Sequence, residues 1–167
     1  MKTIKFICAF VLLSTALLVS SCSDDDGGSD GSAASGTITG KVNGTTVTSD
    51  TALTVASRVT AGSTTSLTMQ GTNFDGKGFS FNIASFNGEG TYEIGGSSLV
   101  FVTGNYIEGN AVNPMDTKMW SAPFDDDSLR GEIKFSTVTE NKVIGTFQFT
   151  AKNPADGSLR QITEGSF

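Results

Sequence analysis

Carboxylates are the side chains of this sequence that could carry catalysis or hold a metal, because histidine is absent from all 167 residues. Imidazole is the usual general base and the commonest metal ligand, so Ser-His-Asp triads and zinc sites built on His are excluded. Asp125, Asp126 and Asp127, with Asp116 upstream, could offer hard oxygen ligands to calcium, which takes about six to eight of them. Consecutive strand residues point to opposite faces, so these three converge only in a loop. They also lack the Asp-x-Asp-x-Asp-Gly spacing of a dedicated calcium loop, and a solvated acidic turn is the plainer expectation. Glycoside hydrolysis needs two carboxyl groups roughly 5 to 10 Å apart in one cleft. Glu89, Glu93, Glu108 and Glu132 are available for such a pair, although scattered acids in β proteins mostly face water.

Binding asks for less. Trp120, the only tryptophan, together with Tyr106 and Tyr92 could stack on sugar rings, since their faces combine apolar area with a polar rim. Large aromatics also dominate small cores, so each has a packing role as its alternative. Met115 and Met119 stand close to Trp120 and would suit either a packed segment or an adaptable surface. No Gly-x-x-x-x-Gly-Lys-Ser/Thr segment opens a helix, so a phosphate cradle has no support.

The elements that must position these side chains read as strands. From Gly36 onward no helical period of useful length occurs, while Thr, Val, Phe and Gly dominate short alternating runs between turn signals. Thr37 to Val42, Asn43-Gly44 and Thr45 to Thr48 predict a hairpin, because Asn-Gly takes the two positive φ values of a type I′ turn. Leu53 to Ala56, Ser66 to Gln70 and Phe79 to Ile83 alternate, putting Leu67 with Met69, and Phe79 with Phe81 and Ile83, on core faces. Thr91 to Ile94 and Leu99 to Val102 read as a continuing meander, and Asn105 to Phe124 as the least regular stretch. Gly131 to Phe135 and Val143 to Ala151 form a hairpin around Glu140 to Lys142, with Ile133, Phe135, Phe147 and Phe149 inward. A last strand ends at Phe167 and ties the C-terminus into the sheet. The expected fold is a single antiparallel β-sandwich or barrel-like domain over residues 36–167.

The N-terminus carries a different chemistry. Lys2 and Lys5 flank the start of an apolar run from Ile4 to Val19, which falls short of the about 20 residues of a membrane span and suits a cleaved secretory signal over residues 1–21. Val19-Ser20-Ser21-Cys22 resembles the lipobox of bacterial lipoproteins. The resemblance implies a diacylglyceryl group on the Cys22 thiol and cleavage just before it. Two or more acyl chains, at about 0.8 kcal/mol per buried methylene, give stable anchoring. Ser23, Asp24, Asp25 and Asp26, followed by Asp30, resemble the acidic run of Bacteroidota lipoproteins sent to the cell surface. This implies an export signal inside a Gly/Ser tether over residues 22–35, and an outer-membrane protein exposed at the surface. Cys8 leaves with the signal and Cys22 takes the lipid, so neither a disulfide nor a cysteine nucleophile remains.

Loss of Lys2 and Lys5 leaves nine basic against 17 acidic residues in the mature chain. Without a basic stripe, such a chain is repelled by nucleic acid. Gly90 to Ile94, Gly131 to Phe135, Gly145 to Ala151 and Ile162 to Phe167 together resemble an uncharacterised domain family of Bacteroidota lipoproteins. That resemblance implies an antiparallel β domain on a lipid anchor and brings no catalytic residues. The resulting expectation is a surface-anchored, non-enzymatic binding module for a glycan or protein ligand, without cofactor. A carboxylate-dependent hydrolase and a structural envelope component are the alternatives.

Overall fold

Alternating apolar and polar residues make the strands, and the turns between them fix their pairing. The computed structural model describes residues 36–97, 100–110 and 112–167. Cys22, the run Ser23 to Asp26, the predicted signal and the predicted tether lie outside the described residues. β1 (Thr39–Val42) and β2 (Thr45–Thr48) form the predicted hairpin, with φ of 47° at Asn43 and 84° at Gly44. β3 (Thr54–Ala61), β4 (Thr64–Thr72) and β5 (Lys77–Ile83) continue as a meander. They are followed by β6 (Gly90–Ile94), β7 (Val102–Glu108), β8 (Lys118–Ala122), β9 (Gly131–Val138), β10 (Val143–Lys152) and β11 (Leu159–Ser166). Among the described residues all eleven strands belong to one antiparallel sheet, so the fold is all-β as expected.

The sheet runs β2-β1-β11-β10-β8-β7-β5-β4-β3, and β10 also pairs with β9, which carries β6 on its far side. It curls around one core into a half-barrel, the barrel-like form of the two expected. Phe81 of β5 lies 4.7 Å, ring centre to ring centre, from Phe147 of β10 and 5.9 Å from Phe149. These offset and edge-on contacts are the geometries that aromatic quadrupoles favour. Leu67, Met69, Phe79, Phe81, Ile83, Ile133, Phe135, Phe147 and Phe149 are all buried in one core, as their alternation predicts.

The C-terminus is central to the sheet: β11 lies between β1 and β10. Beyond it, Phe167 exchanges two main-chain hydrogen bonds with Gly145, each 3.1 Å, and its ring packs on Phe135 at 5.2 Å. Where Phe147 pairs with Gly165 and Phe149 with Ile162, β11 holds one residue too many, and Glu164 takes φ of 50° there. This bulge bends the strand, and Lys41 Nζ meets Glu164 Oε2 across it at 2.6 Å.

Two expectations about the middle of the chain need correction. β6 does not continue the meander; it crosses to pair with β9, because Tyr92 and Ile94 find their core partners there beside Ile133 and Phe135. Asn105 to Phe124 is also more regular than its sequence suggests. β7 and β8 occupy both ends of it and pair Tyr106 with Trp120, which leaves 109–117 as the irregular part. In the run Leu99 to Val102, Leu99 lies outside the described residues, Phe101 is exposed, and the strand begins at Val102.

Candidate functional site

The three aromatic residues predicted for ligand stacking all face inward. Trp120 is 1 % exposed, Tyr106 2 % and Tyr92 6 %. Strand pairing brings Trp120 and Tyr106 together, with ring centres 5.6 Å apart, and the Arg160 guanidinium lies over the indole ring at 4.2 Å. The indole Nε1–H donates to Ser158 Oγ at 2.9 Å. The Tyr106 hydroxyl donates to Glu108 Oε1 at 3.0 Å, and burial followed by that neighbouring carboxylate pushes the phenol well above its ordinary range. Tyr92 lies apart from both. Its ring stacks on Phe86 at 5.5 Å, and its hydroxyl accepts from Asn87 N–H while lying 2.9 Å from the Gly88 carbonyl. All three rings therefore pack, and none presents an open face to a sugar.

The acids divide in the same way. Asp125 accepts from Lys152 Nζ through both oxygens, at 2.8 and 2.7 Å. Asp126 pairs with Arg130 at 2.7 Å. The Ser128 N–H and hydroxyl, with the Arg130 charge behind them, hold the Asp126 carboxyl below the usual carboxylate range. Asp127 is exposed beside them. Lys152 of β10 and Arg130, just before β9, also lie near the Phe124 ring, at 5.9 and 4.0 Å, so the predicted acidic turn is held by two cations. Among the described residues no three carboxylates gather closely enough to hold a metal.

Of the glutamates, Glu89 accepts from Val138 N–H at 3.3 Å and Glu108 serves Tyr106, while Glu93 and Glu132 stand directly opposite each other across β6 and β9. They face outward on an open part of the sheet. Glu132 Oε1 accepts from Gln148 Nε2 at 3.2 Å, which continues the row onto β10.

Gln148 leads to the concavity that sequence reasoning missed. An open hollow of about 170 Å³ lies over β9, β10 and β11, lined by Arg130, Gly131, Gln148, Phe149, Thr150, Gln161, Ile162 and Thr163. Gly131 lets β9 approach β10 closely beneath it, because a Cβ there would collide with the Gln148 carbonyl. Thr150 N–H donates to the Arg130 carbonyl at 2.8 Å, which closes its end. The β1–β2 turn fixes its side: Asn43 N–H donates to the Gln161 carbonyl and Asn43 Oδ1 accepts from Gln161 N–H, both at 2.9 Å. Arg130 Nε is a buried side-chain donor without a hydrogen-bond partner among the described residues. The hollow thus offers two amides, two hydroxyls and one guanidinium, and no carboxylate lines it. It is smaller than the roughly 300–1,000 Å³ of enclosed small-molecule pockets, a size that suits one unit of a longer polar chain. The signal for it lay in alternation, which puts Gln148, Thr150, Gln161 and Thr163 on the outward side of one hairpin.

A family model described as "Domain of unknown function (DUF6252)" matches residues 34–167. No curated protein and no solved structure matches the chain.

Proposed function

The chain belongs to the DUF6252 family of domains of unknown function, and from the chemistry of its hollow we propose that it is a non-enzymatic binding module for a neutral glycan. The observation that carries this reading is the amide and hydroxyl lining from Gln148, Thr150, Gln161 and Thr163. Each such group donates or accepts as a sugar hydroxyl requires, no carboxylate lines the hollow, and its one cation, Arg130, is already paired with Asp126. The module is anchored through lipid on Cys22 and displayed at the cell surface through Ser23 to Asp26. That half of the proposal rests on the lipobox-like and acidic segments of the sequence. No calcium or other cofactor enters it.

The test is retardation of the chain in native gels cast with neutral polysaccharides, compared with Gln148→Ala and Gln161→Ala. Retardation by at least one polysaccharide, lost in both variants, supports the module. Equal mobility in every gel overturns it, and retention of a protein ligand instead would move the partner to another class. The opposed pair Glu93 and Glu132 gives the hydrolase alternative its one specific observation. Release of reducing ends by the native chain, lost in Glu132→Gln, would establish that alternative.

A further inference from the structure

We propose that β3 is a self-association edge: two copies of this chain pair β3 to β3, antiparallel, about a two-fold axis through Ser57. β3 is a terminal strand of the sheet, eight residues long, paired only with β4 among the described residues. Its register runs unbroken from Thr54 opposite Gly71 to Ala61 opposite Thr64, with neither proline nor bulge. Bare edges are normally blunted by charge, proline, bulges or shortness. The other termini show such devices, since β2 has four residues and β6 has five and carries Glu93. The one charge on β3 is Arg58, and its guanidinium is drawn away to the Thr139 carbonyl at 3.1 Å and the Phe86 ring at 5.6 Å. Val55 and Val59 are left 51 % and 62 % exposed.

The occupant follows from the order of residues. Thr54-Val55-Ala56-Ser57-Arg58-Val59-Thr60 reads nearly the same in both directions about Ser57. An antiparallel two-fold there sets Val55 against Val59 of the second copy, Thr54 against Thr60, and Arg58 against Ala56. Apolar and β-branched pairs then match, and the two arginines avoid each other. The backbone agrees with this register. Ala61 and Thr64 close a two-residue turn as a hydrogen-bonded pair. Alternation then turns the N–H and C=O of Ala56, Arg58 and Thr60 toward the free edge. Thr65, opposite Thr60, accordingly gives its carbonyl to Phe86 N–H at 2.7 Å, away from β3. In the dimer Ala56 and Arg58 exchange hydrogen bonds across the axis, and Ser57 meets Ser57 as a close, non-bonded pair.

Such a pair has Cα atoms about 4.5 Å apart, within the range of about 4.4–6.8 Å that a disulfide spans. Val59 and its own copy would lie roughly 13 Å apart at about 3.3 Å per residue. The experiment is mild oxidation of membranes from cells making the full chain, followed by non-reducing electrophoresis. Ser57→Cys should give a species of twice the mass, and so should the double variant Val55→Cys/Val59→Cys. Val55→Cys or Val59→Cys alone should give no more than the native background. Absence of the linked species in both Ser57→Cys and the double variant overturns the proposal, as when the segment before Gly36 or a foreign peptide takes the edge. Equal linking in all four variants overturns it as well, because it marks random collision. All three positions are exposed, so misfolding does not obscure the result.

Discussion

Glu93 and Glu132 occupy directly opposed positions on β6 and β9, so two acidic side chains share one cross-strand site on the outer face. Like charges so placed oppose pairing by about 0.2–1 kcal/mol. Gln148 offsets part of this by donating to Glu132 at 3.2 Å. Glu93→Gln should therefore raise stability by about 0.2–1 kcal/mol, read as a higher denaturation midpoint with an unchanged denaturant slope. A lower midpoint would mean that Glu93 has a favourable partner.

Ser158 is predicted to matter through Trp120. Its hydroxyl takes the indole N–H of a residue that is 1 % exposed, and Ser158→Ala leaves that donor without a partner. The loss should be about 1–3 kcal/mol, against about 3–5 kcal/mol for Trp120→Ala, which also opens a cavity. Because Trp120 is the only tryptophan, its fluorescence follows unfolding of the native chain and of Ser158→Ala directly. Glycan should leave that emission unchanged, since the ring lies away from the hollow.

The pH dependence has a sign on each side. The folded Asp126 carboxyl lies below the usual range because of Ser128 and Arg130. Its stabilisation is thus present above the ordinary aspartate range near pH 4 and lost as pH falls through the folded value. Asp126→Asn should melt earlier than the native chain at pH 7, with the gap closing in acid. On the alkaline side the neutral Tyr106 phenol is favoured by burial and Glu108. Stability tied to Tyr106 should fall as pH rises past about 10, the ordinary tyrosine value. Tyr106→Phe should show a shallower alkaline loss in melts taken across that range.

Much of this architecture was legible in the sequence, and the rest was hidden for identifiable reasons. Asn43-Gly44 announced its hairpin because the turn needs two positive φ values. Phe79, Phe81, Phe147 and Phe149 announced their inward faces through a period of two. Alternation does not say which edge a strand will join, so the crossing of β6 to β9 was invisible until Tyr92 and Ile94 could be seen against Ile133 and Phe135. β7 was obscured because Gly104 occupies an inward position between Val102 and Tyr106 and breaks the apolar rhythm. The candidate site followed the same logic. Conspicuous residues such as Trp120, Tyr106 and Tyr92 went to the core, where large aromatic area is most useful. The hollow was assembled from Gln148 and Gln161, ordinary outward residues of two paired strands.

Calcium offers a clean check on the acidic turn. Asp125 and Asp126 are engaged by Lys152 and Arg130, so an incoming cation would have to displace both. Excess calcium should leave the melting temperature of the native chain unchanged. A rise that disappears on changing Asp125, Asp126 and Asp127 to alanine would reveal a site there.

The most direct measurement is capture of fluorescently labelled neutral polysaccharides by intact cells making the native chain, the Gln148→Ala/Gln161→Ala double variant, or the chain with Asp24, Asp25 and Asp26 changed to alanine. A surface-displayed glycan-binding module predicts capture by the native chain alone, with all three proteins present in equal amounts after lysis. Capture equal in the native chain and the double variant would contradict the assigned hollow. No capture of any polysaccharide by native cells whose chain is removed by external protease would contradict glycan binding itself.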